Sequence, residues 1–172
     1  MSLLDIFQSK PNVAEDITGD ELRDRELCSL LLSNLIPDDC PVRVEWFGQH
    51  QTAAVWLVGE SLRGCGQLLT PEDPADVWDR QAAAHINAER VIGHLSRPEV
   101  RGHLLQNWDE PAEVVWSCWE RATPPHWLPV LVKEAQTVYL RRVARYRINA
   151  MSRALEIGDD QALRELLTEV AE

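Results

Sequence analysis

Several patterns that commonly reveal a protein's chemistry are missing from this 172-residue sequence. Its four cysteines are far apart and form no CxxC pair, which argues against a zinc ribbon and against a thioredoxin-like motif. The sequence has no GxxxxGKS/T phosphate-binding loop, no GxSxG nucleophile motif and no HExxH zinc motif. We therefore predict no cofactor and no metal site. No motif in the sequence indicates a particular reaction.

A secretion signal and a membrane span are also missing. The first ten residues, MSLLDIFQSK, contain no basic leader and only a short apolar run. No apolar run approaches the ~20 residues that a transmembrane helix needs. Cysteines in a chain of this kind are expected to be reduced and buried. These features predict a cytoplasmic protein that does not act at a membrane.

The start of the chain lacks a continuous helical pattern, because Pro11 and Gly19 interrupt it. We predict a flexible or docking arm at 1–18 and a single globular domain at 19–172, which is long enough to bury its own core. The arm carries four closely spaced apolar side chains, Leu3, Leu4, Ile6 and Phe7. They cover either the core of this domain or the surface of another molecule, and the first alternative is favoured.

Lysine is scarce and the charge is unevenly distributed. Of 17 basic residues only Lys10 and Lys133 are lysines, a bias typical of GC-rich bacterial or phage genomes. The net charge is −11. Residues 133–153 hold six basic residues and one acidic residue, whereas the rest of the chain holds 11 basic and 27 acidic residues. Basic charge is therefore concentrated in one segment of an acidic protein.

Most of the chain shows helical periodicity. The longest such segment, 127–157, has no Pro or Gly after Pro129, and Gly158 is placed to end it. Its apolar positions cover more than half of the helix circumference, so we expect it to be buried on most sides and to form the spine of the fold. Further helices are predicted at 20–36, 74–95, 98–108 and 112–122 and after 159.

One region has the pattern of β-structure. Residues 42–47 alternate apolar and polar side chains, and the run AAVWLV that follows is apolar at every position. We predict a short antiparallel hairpin at about 42–59 that packs on the helices. The predicted fold class is therefore α+β, mainly α-helical.

The basic helix is the candidate binding site. Its predicted binding residues are Arg141, Arg142, Arg145, Arg153 and Trp127. Arginine suits ion pairing because its planar fork binds a carboxylate through two hydrogen bonds and keeps its charge. The same residues in a strip also suit phosphate contacts. The negative net charge of the chain argues against phosphate binding, because it repels polyanions at long range.

These observations favour a non-catalytic binding or adaptor protein that acts through protein–protein contacts, with a protein partner or a second copy of itself. The alternative is a nucleic-acid-binding accessory subunit that uses the arginine-rich helix 133–153. A third alternative is an enzyme of unrecognised family, for which Cys65, His50 and His126 are the least implausible reactive groups. His85 and Glu89, one helical turn apart, suit a structural hydrogen bond better than a metal site, since no third ligand is evident.

Overall fold

A computed structural model describes residues 17–104 and 110–171 of the chain. Within these ranges the chain forms seven α-helices, and 3-10 turns occupy Val44–Trp46 and Pro125–Trp127. The helices are α1 (Ile17–Leu32), α2 (His50–Gly64), α3 (Val77–Leu95), α4 (Pro98–Leu104), α5 (Pro111–Trp119), α6 (Leu128–Ile157) and α7 (Asp160–Ala171). Residues 1–16 of the predicted arm lie outside the described residues, and residues 17 and 18 already belong to α1.

The predicted β-hairpin at 42–59 is wrong. No strand occurs in 17–104 or 110–171; the first half of the supposed hairpin makes a 3-10 turn and the second half lies in α2. A continuous apolar run fits a helix buried on most sides as well as a buried strand. In α2 the exposed positions Leu57 and Ser61 are one helical turn apart, while Val55, Trp56 and most of their neighbours are buried. The fold is mainly helical, without the predicted β component in the described ranges.

The hub of the core is α1, not the long helix predicted as a spine. Four other helices, α2, α3, α5 and α6, pack against α1. Its side chains Leu27, Leu30 and Leu31 are almost wholly inaccessible to solvent. The approach of α2 is close, because a Cβ built on Gly59 would lie 2.6 Å from Cδ2 of Leu31. Glycine therefore allows these two helices to touch.

Asn87 holds the loop before α3 against the end of α1. This side chain is fully buried. Its amide nitrogen donates to the carbonyls of Leu32 (2.7 Å) and Leu69 (2.8 Å), and its oxygen accepts from the Leu69 N–H (2.7 Å). A buried amide with all these partners is stabilising, because each unpaired group would carry its own desolvation cost.

The prediction of a long helix at 127–157 is confirmed within one residue by α6. Gly158 adopts the left-handed conformation (φ 70°) that ends many helices, as expected from its position. The prediction that this helix is buried on most sides is wrong, since its buried residues are Leu131, Ala135 and Ala154. The first half of α6 packs on α1 and on the first 3-10 turn. Its second half packs mainly on α7, and together they form the C-terminal hairpin, residues 143–171.

Candidate functional site

Arg142 is the one predicted binding residue that the structure ties to the protein interior. Its Nη1 donates a hydrogen bond to the carbonyl of Phe47 (2.9 Å), and its Nη2 donates to the carbonyl of Trp46. The partial burial that accompanies these bonds lowers the pKa of Arg142 below its ordinary value, while Asp20 and Asp24 oppose that change. Arg142 thus anchors α6 to residues 46 and 47, and both of its terminal nitrogens are used in that contact.

The other predicted residues do not form one surface. Arg141 and Arg145 are exposed on one side of α6, whereas Arg153 lines a groove between α6 and α7. Trp127 is 47% exposed in the turn before α6. At 1.5 Å per residue, Trp127 and Arg153 lie roughly 39 Å apart along the helix axis. One small ligand therefore cannot contact both residues.

From Leu140 onward, α6 presents an apolar surface to solvent that we call the outer stripe. It consists of Leu140, Ala144, Ile148, Met151 and Leu155. The successive spacings of four, four, three and four residues place these positions within an arc of roughly 80° on an ideal helix. Leu140 is 57% exposed, Ile148 62% and Leu155 66%. The outer stripe is a continuous ridge of aliphatic side chains without a covering element among the described residues.

Arginines border the outer stripe on both sides. Residues 140–155 contain five arginines and no acidic residue. By helical geometry Arg141 lies at one edge of the stripe and Arg147 at the other. The periodicity of the sequence predicts burial of these apolar positions, whereas in the structure Leu140, Ile148 and Leu155 are exposed. Their 3–4 spacing on a narrow arc indicates one apolar face, but it does not show whether another helix covers that face.

A second surface lies on the opposite side of α6, where an open groove of about 440 Å³ runs between α6 and α7. We call it the inner groove. It is lined on α6 by Tyr146, Arg153 and Ile157 and on α7 by Glu165 and Leu166, among others. Tyr146 is 44% exposed and Ile157 77% exposed. This groove is mainly apolar and carries charges of both signs.

The residues considered for catalysis are not brought together. Cys65 is exposed just after α2, and His50 is the first residue of that helix. A helix of 15 residues is roughly 22 Å long, so His50 is too far from Cys65 to activate its thiol. His126 lies in the 3-10 turn before α6. Within 17–104 and 110–171 no three His, Cys, Asp or Glu side chains are grouped so as to hold a metal ion.

His85 has an aromatic environment. Its ring lies 4.9 Å from the ring of Trp116 and 5.5 Å from that of Trp119, and its Nδ1 lies 4.0 Å from Glu89. The indole N–H of Trp119 donates to the carbonyl of Gln81 (3.2 Å). The ring contacts and the Trp119 hydrogen bond join α3 to α5, whereas the 4.0 Å approach of His85 to Glu89 is longer than a hydrogen bond.

A buried ionic network links α1 to the start of α2. The fully buried carboxylate of Asp24 accepts hydrogen bonds from Arg23 (2.8 Å) and from the Gly48 N–H (2.7 Å). Arg23 also donates to Asp20 (2.9 Å). Burial raises the pKa of Asp24, although Arg23 and the Gly48 N–H act in the opposite direction. Each charged group has a charged partner, so the network needs no ligand to explain it.

Two cysteines are also buried beside this network. The thiol of Cys28 lies 3.4 Å from the carbonyl of Thr52, and Cys118 lies in the same core cluster. Burial, together with the neighbouring Cys118 thiol and Asp24, raises the pKa of Cys28 well above its ordinary value. A thiol with a raised pKa is a poor nucleophile, so Cys28 behaves as a core side chain. Cys118 is fully buried in the same cluster.

Comparisons with protein-family models, with curated proteins and with solved structures found no match to this chain. Among the described residues no helix has a stretch long and apolar enough to cross a membrane.

Proposed function

We propose that this chain is a non-catalytic binding protein whose outer stripe docks on a partner protein. The supporting observation is the contiguous exposure of Leu140, Ile148 and Leu155 on one side of α6. Single exposed apolar side chains are normal on protein surfaces, but a continuous patch is typical of an interaction site. A flat helical ridge of this kind suits a partner groove or a second amphipathic helix.

The charge around the outer stripe defines the partner's chemistry. Arg141 and Arg147 lie at its two edges, and guanidinium groups bind carboxylates with two parallel hydrogen bonds. The partner is therefore expected to carry an apolar strip bordered by aspartate or glutamate. A second copy of this chain suits the stripe less well, because a two-fold contact between identical stripes would set arginine edges against each other.

Nucleic-acid binding through the arginine-rich helix has less support than protein binding. Arg142 is already bonded to the carbonyls at 46–47, and Arg153 lines the inner groove on another side of the helix. Arg141 and Arg147 flank an aliphatic ridge, whereas binding of single-stranded nucleic acid uses aromatic side chains on which bases stack. The net charge of −11 also opposes a polyanion.

The proposal can be tested by quantitative capture from an extract of the native host. The tagged full chain is compared with the double variant Ile148→Asp/Leu155→Asp. The matched control is Val77→Asp/Ile86→Asp on α3, where both side chains are also exposed. We expect an acidic protein that is captured by the wild type and the control but is depleted with the stripe variant. Equal capture by all three chains would contradict the proposal.

Nuclease treatment and a salt series separate protein from nucleic acid. If the captured material disappears after nuclease treatment, the nucleic-acid alternative replaces the proposal. Binding of the purified partner is then measured with Arg141→Gln and Arg147→Gln. Each substitution is expected to weaken binding by roughly 0.2–1 kcal/mol at low salt, the range for exposed ion pairs, and to have less effect at high salt.

A further inference from the structure

Aromatic side chains form a row along the outer face of α3 and the adjoining part of α5. Trp78, in the first turn of α3, is 83% exposed and is the most exposed large apolar side chain of the described residues. Two turns later on the same side of α3 lies His85, whose ring packs against that of Trp116 at 4.9 Å. Trp119 meets both of these rings edge-on. The distance along α3 from Trp78 to His85 is roughly 10 Å, the length of a short peptide segment.

The carboxylates around this row lack basic partners. Residues 72–89 and 110–120 contain eight acidic residues, and their one basic residue, Arg80, is buried and donates to the backbone carbonyls of Pro74 and Ala75. In 17–104 and 110–171 no lysine or arginine forms an ion pair with any of the eight. By contrast, six carboxylates of α1, α2 and the loop between them are paired with arginine. We call the aromatic row and these eight carboxylates the aromatic–acidic surface.

Hydrogen bonds fix the turn that presents Trp78. The side chain of Asp76 caps α3 by accepting from the Trp78 N–H (2.8 Å). Asp79 accepts from the N–H of Asp73 (2.6 Å), and Asp73 accepts from the N–H of Ala75 (2.9 Å). Each of these carboxylates uses one oxygen in the turn. An aromatic ring on an ordered turn loses less conformational entropy on binding than a ring on a mobile loop, so this turn is suited to recognition.

We infer that the aromatic–acidic surface binds an arginine-containing segment of a partner protein. The exposed indole and the carboxylates without basic partners are separate observations, and arginine satisfies both. Its planar guanidinium stacks on an aromatic face, where Trp gives the strongest cation–π attraction, and it binds a carboxylate through two parallel hydrogen bonds. Lysine satisfies the charge, but its ammonium is strongly hydrated and has no plane to stack. An uncharged apolar partner would bury carboxylates without compensation.

The aromatic–acidic surface is separate from the outer stripe, so this inference does not depend on the proposed function. The outer stripe lies on α6 and fits an acidic partner, whereas the aromatic–acidic surface lies on α3 and α5 and fits a basic one. Two surfaces of opposite charge suit an adaptor that joins two different partners. A second copy of the chain is the competing occupant, because its outer stripe carries arginines. Such a head-to-tail contact would build rings or open chains, which are recognised by their mass.

The first experiment leaves the protein unchanged and varies the probe. A fluorescein-labelled peptide of alternating arginine and glycine, with three arginines, is titrated with the full chain at low salt, and binding is followed by fluorescence anisotropy. Matched peptides carry lysine, or citrulline, which has the shape of arginine without its charge. We expect the lysine peptide to bind several-fold more weakly than the arginine peptide and the citrulline peptide roughly tenfold more weakly. Equal binding of the arginine and lysine peptides, or no binding of the arginine peptide, would overturn the inference.

Tryptophan variants locate the binding site. Trp78→Ala is expected to lower the affinity for the arginine peptide roughly tenfold, because it removes the ring on which the guanidinium stacks. The matched control is Trp127→Ala, which removes another exposed indole from the turn before α6 and should leave the affinity unchanged. Both side chains are exposed, so neither substitution opens a cavity in the core. Equal affinities of the two variants would contradict binding at the aromatic–acidic surface.

Carboxylate variants test the charge of the surface. Glu89 lies one turn after His85, and Glu113 lies one turn before Trp116. Glu89→Gln/Glu113→Gln is expected to weaken binding of the arginine peptide several-fold at low salt and less at high salt. The control Glu156→Gln/Glu165→Gln removes two exposed carboxylates from the C-terminal hairpin and should have no effect. Equal weakening by both pairs would show attraction to the net charge alone and would overturn the inference.

Sedimentation equilibrium of the chain without peptide tests the competing occupant. We expect the wild type and Trp78→Ala to have the same mass at every protein concentration. A mass that increases with concentration in the wild type, but not in Trp78→Ala or in the stripe variant Ile148→Asp/Leu155→Asp, would assign the aromatic–acidic surface to a second copy. That result would overturn the inference.

Discussion

Asp24 is a carboxylate without solvent exposure, bonded to Arg23 and to the Gly48 N–H. Its net pKa change is upward, so desolvation outweighs the attraction of the neighbouring guanidinium. The folded state therefore takes up the Asp24 proton at a higher pH than the unfolded chain does. By linkage, this group makes the protein less stable as the pH rises from the ordinary carboxyl pKa through the raised one.

Asp24→Asn tests that linkage. At neutral pH the variant loses a charged hydrogen bond to Arg23, and we expect it to be less stable by roughly 1.5–3 kcal/mol. As the pH is lowered toward the ordinary carboxyl value, the wild type gains the proton-linked stability that asparagine cannot gain. The difference in unfolding free energy should therefore widen on acidification, as measured by urea unfolding at several pH values. A difference that narrows would mean that the attraction of Arg23 outweighs desolvation, so that the pKa of Asp24 lies below its ordinary value.

Arg141 and Arg142 are adjacent in sequence but have different surroundings. Arg142→Ala removes two hydrogen bonds to carbonyls at 46–47, and charged hydrogen bonds contribute roughly 1.5–3 kcal/mol each. We expect a loss of roughly 2–4 kcal/mol in unfolding free energy. Arg141→Ala removes an exposed side chain and should change it by less than about 0.5 kcal/mol. Equal effects in urea unfolding would show that the bonds of Arg142 contribute little.

The different surroundings of Arg141 and Arg142 could not be predicted from the sequence. The partners of Arg142 are backbone carbonyls ninety-five or so residues earlier, and a carbonyl leaves no mark in a sequence pattern. The charge of the segment can be counted from the sequence, but the side of the helix that packs on the core depends on tertiary packing. A list of candidate residues taken from one helix therefore mixes structural and exposed members.

At the level of helices, the close contact between α1 and α2 depends on Gly59. A Cβ at this position would lie 2.6 Å from Cδ2 and 3.0 Å from Cγ of the fully buried Leu31. For Gly59→Val we expect overpacking of roughly 1–3 kcal/mol to outweigh the ~0.5 kcal/mol gain in helix propensity. Thermal or urea unfolding measures the net loss.

Gly93 provides the matched control within a helix. It lies inside α3, is exposed, and a Cβ there would meet no atom within 4 Å. Gly93→Ala is therefore expected to stabilise the protein by roughly 0.5–1 kcal/mol through helix propensity alone. If Gly59→Val were equally stabilising, the proposed close contact of α1 and α2 would be contradicted.

The helices differ in how well the sequence predicts them. The length of α6 follows from a segment without internal Pro or Gly and from Gly158 at its end, both of which are local signals. The AAVWLV run has no such signal, because an all-apolar segment fits a buried strand and a buried helix equally. Burial of α6 was overestimated for a related reason. Apolar residues covering half of a helix indicate two faces, but only the other helices determine which face is covered.

At the scale of the whole molecule, the described residues fall into two regions of unequal packing. The helices that surround α1 contain almost all of the buried side chains, whereas Ala154 is the one buried residue described in the C-terminal hairpin, 143–171. A region with few buried apolar contacts is expected to open at a lower free energy than the core. Unfolding should therefore begin in the hairpin.

The distribution of tryptophan makes that order measurable. All seven tryptophans precede residue 143 in the sequence, so none lies in the C-terminal hairpin and fluorescence does not report the hairpin directly. Circular dichroism at 222 nm reports every helix. We expect the dichroism to decrease at lower urea concentrations than the fluorescence changes, because α7 and the second half of α6 lose helix first. Coincident transitions would instead indicate a single cooperative unit.

Two substitutions assign each transition to its region. Ala154→Asp places a charge between α6 and α7. It should lower the urea midpoint of the early dichroism transition and leave the midpoint of the fluorescence transition nearly unchanged. Leu131→Ala, in the buried part of α6, should lower the unfolding free energy measured by fluorescence by roughly 2–5 kcal/mol. If Ala154→Asp shifted both transitions equally, the hairpin would be coupled to the core more strongly than its exposure indicates.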